Sequence, residues 1–141
     1  MCSSDLRVST PAAGLAQLNM LTRELYDDAA QAHNAYTEAR ALIVRLGSGA
    51  ETAALKTNVE AIAPLETGAR RGRGFGPGAG GGAPQQTLAS VSQAAMAAAM
   101  AMQGADIAPT AGQVAAAAKA RADVKAMMDQ WSALKASSPV K

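Results

Sequence analysis

The chain has very little from which to build a sheet, a disulfide or a metal site. Aromatic residues make up only 3% of it: one Trp, one Phe and two Tyr. Strand formers such as Val59, Val91 and Val124 stand singly, never in the alternating runs that a half-buried strand needs. The one cysteine, Cys2, has no partner for an intramolecular disulfide or a metal-ligand set. The one histidine, His33, has no histidine, cysteine or carboxylate at ligand spacing on its own helical face. No H-E-x-x-H or C-x-x-C occurs, so no catalytic, cofactor-binding or metal residue is assigned from motifs. A net charge of +2 is too small to point to nucleic acid or an anionic membrane as the main partner. The longest charge-free run, residues 74–105, is filled with Gly, Gln, Ser and Ala, which argues against a membrane span. The polar first residues lack the apolar core of a signal peptide.

What the chain does have is alanine, which forms a large part of the 49% of residues that are hydrophobic. Alanine favours helix strongly and buries little area, so the expected core is thin, with closely spaced helices. The 141 residues suit one domain. The composition is all-α.

The organising stretch is residues 10–46. Leu15, Leu18, Thr22, Leu25, Ala29, Ala32, Tyr36, Ala39, Ile43 and Leu46 recur three and four residues apart, the spacing of one continuous buried stripe. Thr10-Pro11 reads as an N-cap followed by proline at the first helical position. Gly47-Ser48-Gly49 reads as its end. Ser48 and Glu51 have capping-box spacing for a short second helix, about 50–63, with Leu55, Val59 and Ile62 on its apolar face and Pro64 as its stop. Residues 66–86 form a Gly/Arg-rich linker that cannot bury enough apolar area to order itself. A third helix, about 88–105, carries Leu88, Val91, Ala95, Ala98 and Met102, with Met96 and Met100 widening that face. Thr110 and Gln113 open a fourth, about 111–136, lined by Val114, Ala117, Arg121, Val124, Met128, Trp131 and Leu134. Residues 1–9 and 137–141 read as a disordered start and a frayed tail. The expected architecture is an all-α, up-down four-helix bundle of two helical hairpins joined by the Gly-rich flexible linker.

The residues that invite a chemical reading have plainer ones beside them. His33 lies off the stripe and reads as a solvated surface histidine. Glu24, Asp27 and Asp28 form an acidic cluster, but adjacent helical residues point about 100° apart and Glu24 and Asp28 are like charges, which makes no catalytic dyad. Gly76, Gly78 and Gly81 match G-x-G-x-x-G without the preceding strand that a dinucleotide site needs. Arg70, Arg71 and Arg73 with Phe75 resemble an RGG segment, and about three phosphates neutralised would give only weak, salt-sensitive RNA binding. The methionines read as gap-filling core, Trp131 as an anchor against the first helix, and Arg121 as a stem buried on the stripe with its guanidinium at the edge.

Several short phrases taken together carry a family resemblance. They are Arg7-Val8-Ser9-Thr10 before a long helix with Leu25-Tyr26-Asp27, the variable glycine-rich stretch, Ala105-Asp106-Ile107-Ala108-Pro109-Thr110, and Trp131-Ser132-Ala133-Leu134. They resemble the C-terminal helical region of bacterial sortilin-like, BNR-repeat (Asp-box) β-propeller proteins, often labelled glycosyl hydrolases or sialidase-like. In these, the last β-rich segment closes on an Asp-Pro-Arg-Val-like phrase. Here Asp5-Leu6 stands where Asp-Pro would be, and residues 2–6 are what a sequencing-adapter end, TGC TCT TCC GAT CT, encodes. Residues 1–6 are therefore expected to be an assembly artefact and the chain a fragment beginning near Arg7. The resemblance implies a secreted or periplasmic parent whose propeller, Asp-boxes and catalytic carboxylates lie outside this chain. It carries no catalytic residue onto a position here. It implies a non-catalytic accessory bundle partnered by the parent's propeller body. The alternatives are a stand-alone interaction module that self-associates through the long first helix, where the short second helix leaves it uncovered, and an Arg/Gly-linker nucleic-acid binder.

Overall fold

The computed structural model of the chain describes residues 11–65, 86–104 and 107–139, and among these every regular element is helical. Four α-helices follow in order: α1 (Ala12–Leu46), α2 (Ala53–Ile62), α3 (Leu88–Met102) and α4 (Ala111–Ala136), with a 3-10 turn at Ala50–Thr52. They pack as an all-α bundle of two helical hairpins, α1 antiparallel to α2 and α3 antiparallel to α4. Residues 66–85, which hold Arg70, Arg71, Arg73, Phe75 and the G-x-G-x-x-G match, lie outside the described residues, as do residues 1–10 with Cys2 and Thr10.

The stripe on α1 is buried along its length. Leu18, Leu25, Ala29, Ala32, Ala39, Ile43 and Leu46 are all in the core, with Leu15, Thr22 and Tyr36 half-buried beside them. Ala35 and Leu42 are buried too, on the flank facing α4, so the covered stripe is wider than a three-four count of the larger residues suggests. At 1.5 Å per residue, α1 is roughly 52 Å long, more than twice the length of either partner on its other flank. Two helices share that flank in succession. Tyr36 Oη donates to the Pro64 carbonyl at 3.0 Å, and the Arg40 guanidinium donates to the Ala63 carbonyl at 3.2 Å, so α2 ends beside these two positions. Farther toward the start of α1, Ser92 Oγ donates to the Ala29 carbonyl and Tyr26 Oη to Gln103. Helix α3 therefore continues down the same side of α1 in the direction that α2 took. Both α2 and α3 pack against α4 on the third side. The four helices thus give three in any one cross-section: α1, α4, and a corner filled first by α2 and then by α3.

The length of the α1 stripe that α2 leaves is covered by α3. The side chains at the α1–α3 seam explain how. Ala29, Ala32, Ala95 and Ala99 are each at most 1% exposed, and such small residues let helix axes approach to the near end of the usual 8–10 Å range. Ser92, the one buried polar residue among the described residues, sits in that seam and spends its hydroxyl on a carbonyl of α1.

Caps follow the sequence in part. Thr110 and Gln113 form a full capping box, and so do Thr87 and Ser90, a T-x-x-S pair that the S/T-x-x-E/Q rule passes over. The Ser48–Glu51 box does not form. The chain enters a 3-10 turn after Gly49, and Thr52 Oγ1 donates instead to the Leu46 and Gly49 carbonyls. Thr52 stands at the start of α2 without a side-chain cap bond there, and its hydroxyl serves the end of α1, whose last carbonyls need donors. Pro11 takes the cap position of α1, one residue outside the expected first helical position. Gly47 ends that helix at φ +57, where an L side chain would be strained.

Two outcomes follow from this packing. Ala95→Leu puts three extra carbons where two backbones meet, and should destabilise the protein by about 1–3 kcal/mol in urea unfolding, the usual cost of overpacking. Ala94→Leu, on the outer side of α3, should cost under about 0.5 kcal/mol. Ends of α2 and α3 lie against α1 positions seven residues apart, about 10 Å along its axis. Replacing residues 66–85 by six Gly/Ser residues should therefore leave the helical circular dichroism intact and shift Tm by no more than a few degrees.

Candidate interaction surfaces

The ion pairs that join two helices cross the seam between α1 and α4. Arg121, expected to bury its stem on the α4 stripe, lies instead at the outer edge of that stripe, 42% exposed. Its Nε donates to Asp28 at 2.9 Å and its Nη1 to Glu24. The pair of like charges one turn apart on α1 is thus bridged by one cation from α4, which removes the repulsion that the α1 sequence alone implies. Fourteen residues farther along both helices, Lys135 Nζ meets Glu38 at 3.0 Å. Both contacts span the same sequence separation of 97, so α4 runs parallel to α1 in constant register. Lys119–Asp123 and Lys125–Asp129 are pairs within α4. Hydrogen bonds from Lys119 and from Gln86 hold the Asp123 carboxyl below its usual range, and the second ties the chain just before α3 to α4.

Two shallow grooves lie over this seam. One, about 490 Å³, is lined by Asp28, Gln31, Arg121, Lys125, Val124 and Met128. The other, about 390 Å³, runs on from it past Gln31, Asn34, Ala35 and Glu38 to Trp131 and Lys135. Trp131 forms the floor rather than an open wall. It is 3% exposed, packs beside Ala35 of α1, and has the Lys135 ammonium 5.6 Å from its ring centroid. The grooves join charged groups that are already paired, and they bring together no nucleophile, base and orienting group.

The sequence candidates fall as follows. His33 is exposed, and its carbonyl accepts from Thr37 Oγ1. Asp27 is exposed and points away from the Glu24–Asp28–Arg121 cluster. Among the described residues no group of three or more His, Cys, Asp or Glu is placed to hold a metal ion. No helix among them is long and apolar enough to cross a membrane. Met102 is in the core as expected; on α4 it is Met127 that is buried, with the expected Met128 only half-buried beside it, and Met96 and Met100 are 45% and 60% exposed. The core face of α3 is made instead by Leu88, Val91, Ser92, Ala95, Ala99 and Met102, because alanines and a serine fit the close seam where methionines do not. Opposite this face α3 turns to solvent a surface without one charged residue. Neither a protein-family model, nor a curated protein, nor a solved structure matches the chain.

The Arg121 bridge is exposed, so its worth is modest and salt-dependent. A double-mutant cycle of Arg121→Ala with Glu24→Ala should give a coupling below about 1 kcal/mol in low salt. It should fall toward zero by roughly 1 M NaCl, where the screening length is about 3 Å.

Proposed function

We propose that the chain is a non-catalytic helical accessory module belonging to a larger secreted, sortilin-like BNR-repeat propeller protein. Its role in that protein is to pack against the propeller body and to offer a surface for partner or oligomer contacts. The observation that carries the module reading is how the polar side chains are used. Tyr36, Arg40, Ser92, Arg121 and Lys135 each spend their donors on holding one helix against another. The phrases behind the propeller resemblance support the parent. Leu25-Tyr26-Asp27 lies at the middle of α1, where Tyr26 reaches Gln103, and Trp131-Ser132-Ala133-Leu134 closes the core side of α4. A family's bundle would keep such contacts, because they set how the hairpins dock.

The test is to read the source DNA upstream of Arg7. β-Rich repeats carrying S-x-D-x-G-x-T-W boxes in the same frame are the expected result. A stop codon or an unrelated reading frame there removes the parent from the proposal. A second reading, a stand-alone self-association module, is favoured by the uncharged outer face of α3.

A further inference from the structure

The methionines of the bundle stand in unlike environments. Met102 and Met127 are each 3% exposed and sit in the core, whereas Met96 and Met100 stand on the outer side of α3 with their thioethers open to solvent. These two are one helical turn apart, so they lie side by side on one face. Their exposed neighbours on α3 are Gln93, Ala94, Ala97 and Ala101, and the helix carries no charged side chain. We propose that Met96 and Met100 together are an oxidation site for small peroxides, at which the outer face of α3 turns from apolar to polar while the bundle stays folded.

The step is a transfer of one oxygen to each sulfur. A sulfur lone pair attacks one peroxide oxygen, and the S–O bond forms as the O–O bond breaks. The other oxygen takes up the proton released from the first and leaves as water. Each thioether is thereby oxidised to a sulfoxide, and each hydrogen peroxide is reduced to water. Methionine sulfoxide is reduced back enzymatically, so the change of face is reversible.

The fold decides where this chemistry is tolerated. At Met102 or Met127 the sulfoxide dipole would be buried among apolar side chains, which costs stability directly. At Met96 and Met100 the new dipoles are hydrated. The seam on the inner side of α3, made by Ser92, Ala95 and Ala99, is left as it was. Met20 is also well exposed, at 53%. It has Arg23 and Glu24 one turn farther along α1, so one more dipole changes little on a face that is already charged. Only on α3 does oxidation alter the character of a whole helix face.

The site belongs to the chain itself and holds whether or not a propeller precedes it. The full chain is treated with dilute hydrogen peroxide and followed by peptide mass mapping over time. Met96 and Met100 should each gain one oxygen at least about tenfold faster than Met102 and Met127, which solvent reaches only through local opening. The chain oxidised at both outer positions should keep its helical circular dichroism and elute earlier from a hydrophobic-interaction column. Met96→Leu combined with Met100→Leu keeps the face apolar and helical, and should abolish that shift in elution although Met20 still oxidises. If the double variant loses its helical signal, the two single variants take its place and should each lose about half of the shift. Oxidation of Met102 or Met127 as fast as that of the outer pair overturns the proposal. So does loss of helical signal when the outer pair is oxidised, an unchanged elution of the oxidised chain, or an undiminished shift in the variants.

Discussion

The close approach of α1 and α3 is the constraint on which the rest of the bundle depends. A chain with few aromatics cannot fill wide spaces between helices, so it must bring the helices together. Ala29, Ala32, Ala95 and Ala99 do that along the middle of the molecule, and Ser92 satisfies itself within the seam by donating to Ala29. Little area is buried per residue there, and what holds the seam is contact density, since backbone packs nearly on backbone. The larger apolar residues are then needed only off the seam. Leu25 and Leu88, both fully buried, add bulk to the core, while Val59, Ile62 and Leu46 close the α2 end.

That closeness also decides the shape. α1 is too long for one hairpin partner, and a ten-residue α2 covers only its final turns. A conventional four-cornered bundle would set α3 and α4 around a separate axis. Here α3 can lie tight against α1 only on the flank where the alanines are. Ala29 and Tyr26 face that flank, and so do Tyr36 and Arg40 farther along, which hold the end of α2. The two shorter helices therefore share one corner, and α4 completes a triangle at both levels.

The helical class, the stripe on α1 and the Thr110–Gln113 cap are legible in the sequence because each rests on local spacing. Helix periodicity needs no knowledge of the partner. What could not be read is whatever depended on which neighbour arrives. Met96 and Met100 are apolar and well placed to extend a core face, yet they are exposed because Ser92 and Ala99 fit the narrow seam better. A hydrophobicity count ranks methionine above serine, whereas a close backbone approach reverses that order. Arg121 reads as an intruder on an apolar stripe until Glu24 and Asp28 of another helix are brought beside it. Likewise the Ser48–Glu51 spacing is a local signal overruled by a tertiary need, the unpaired carbonyls at the end of α1 that Thr52 serves.

The ion pairs across α1 and α4 fix register but not direction. Reversing α4 end for end would place Arg121 opposite Glu38 and Lys135 opposite Glu24, again cation to carboxylate. Direction must come from connectivity. The few residues between α3 and α4 force those two helices antiparallel, and the Ser92 and Gln103 contacts set α3 antiparallel to α1, which leaves α4 parallel to α1. Once that is settled, register is sharply defined. Sliding α4 by one turn would keep Arg121 near Asp28 but would carry Lys135 from Glu38 to the buried Leu42. Setting a lysine ammonium against an apolar core position costs more than an exposed pair gains. The exposed charges thus contribute little to stability and much to uniqueness: they leave one of the possible α1–α4 registers free of a misplaced charge.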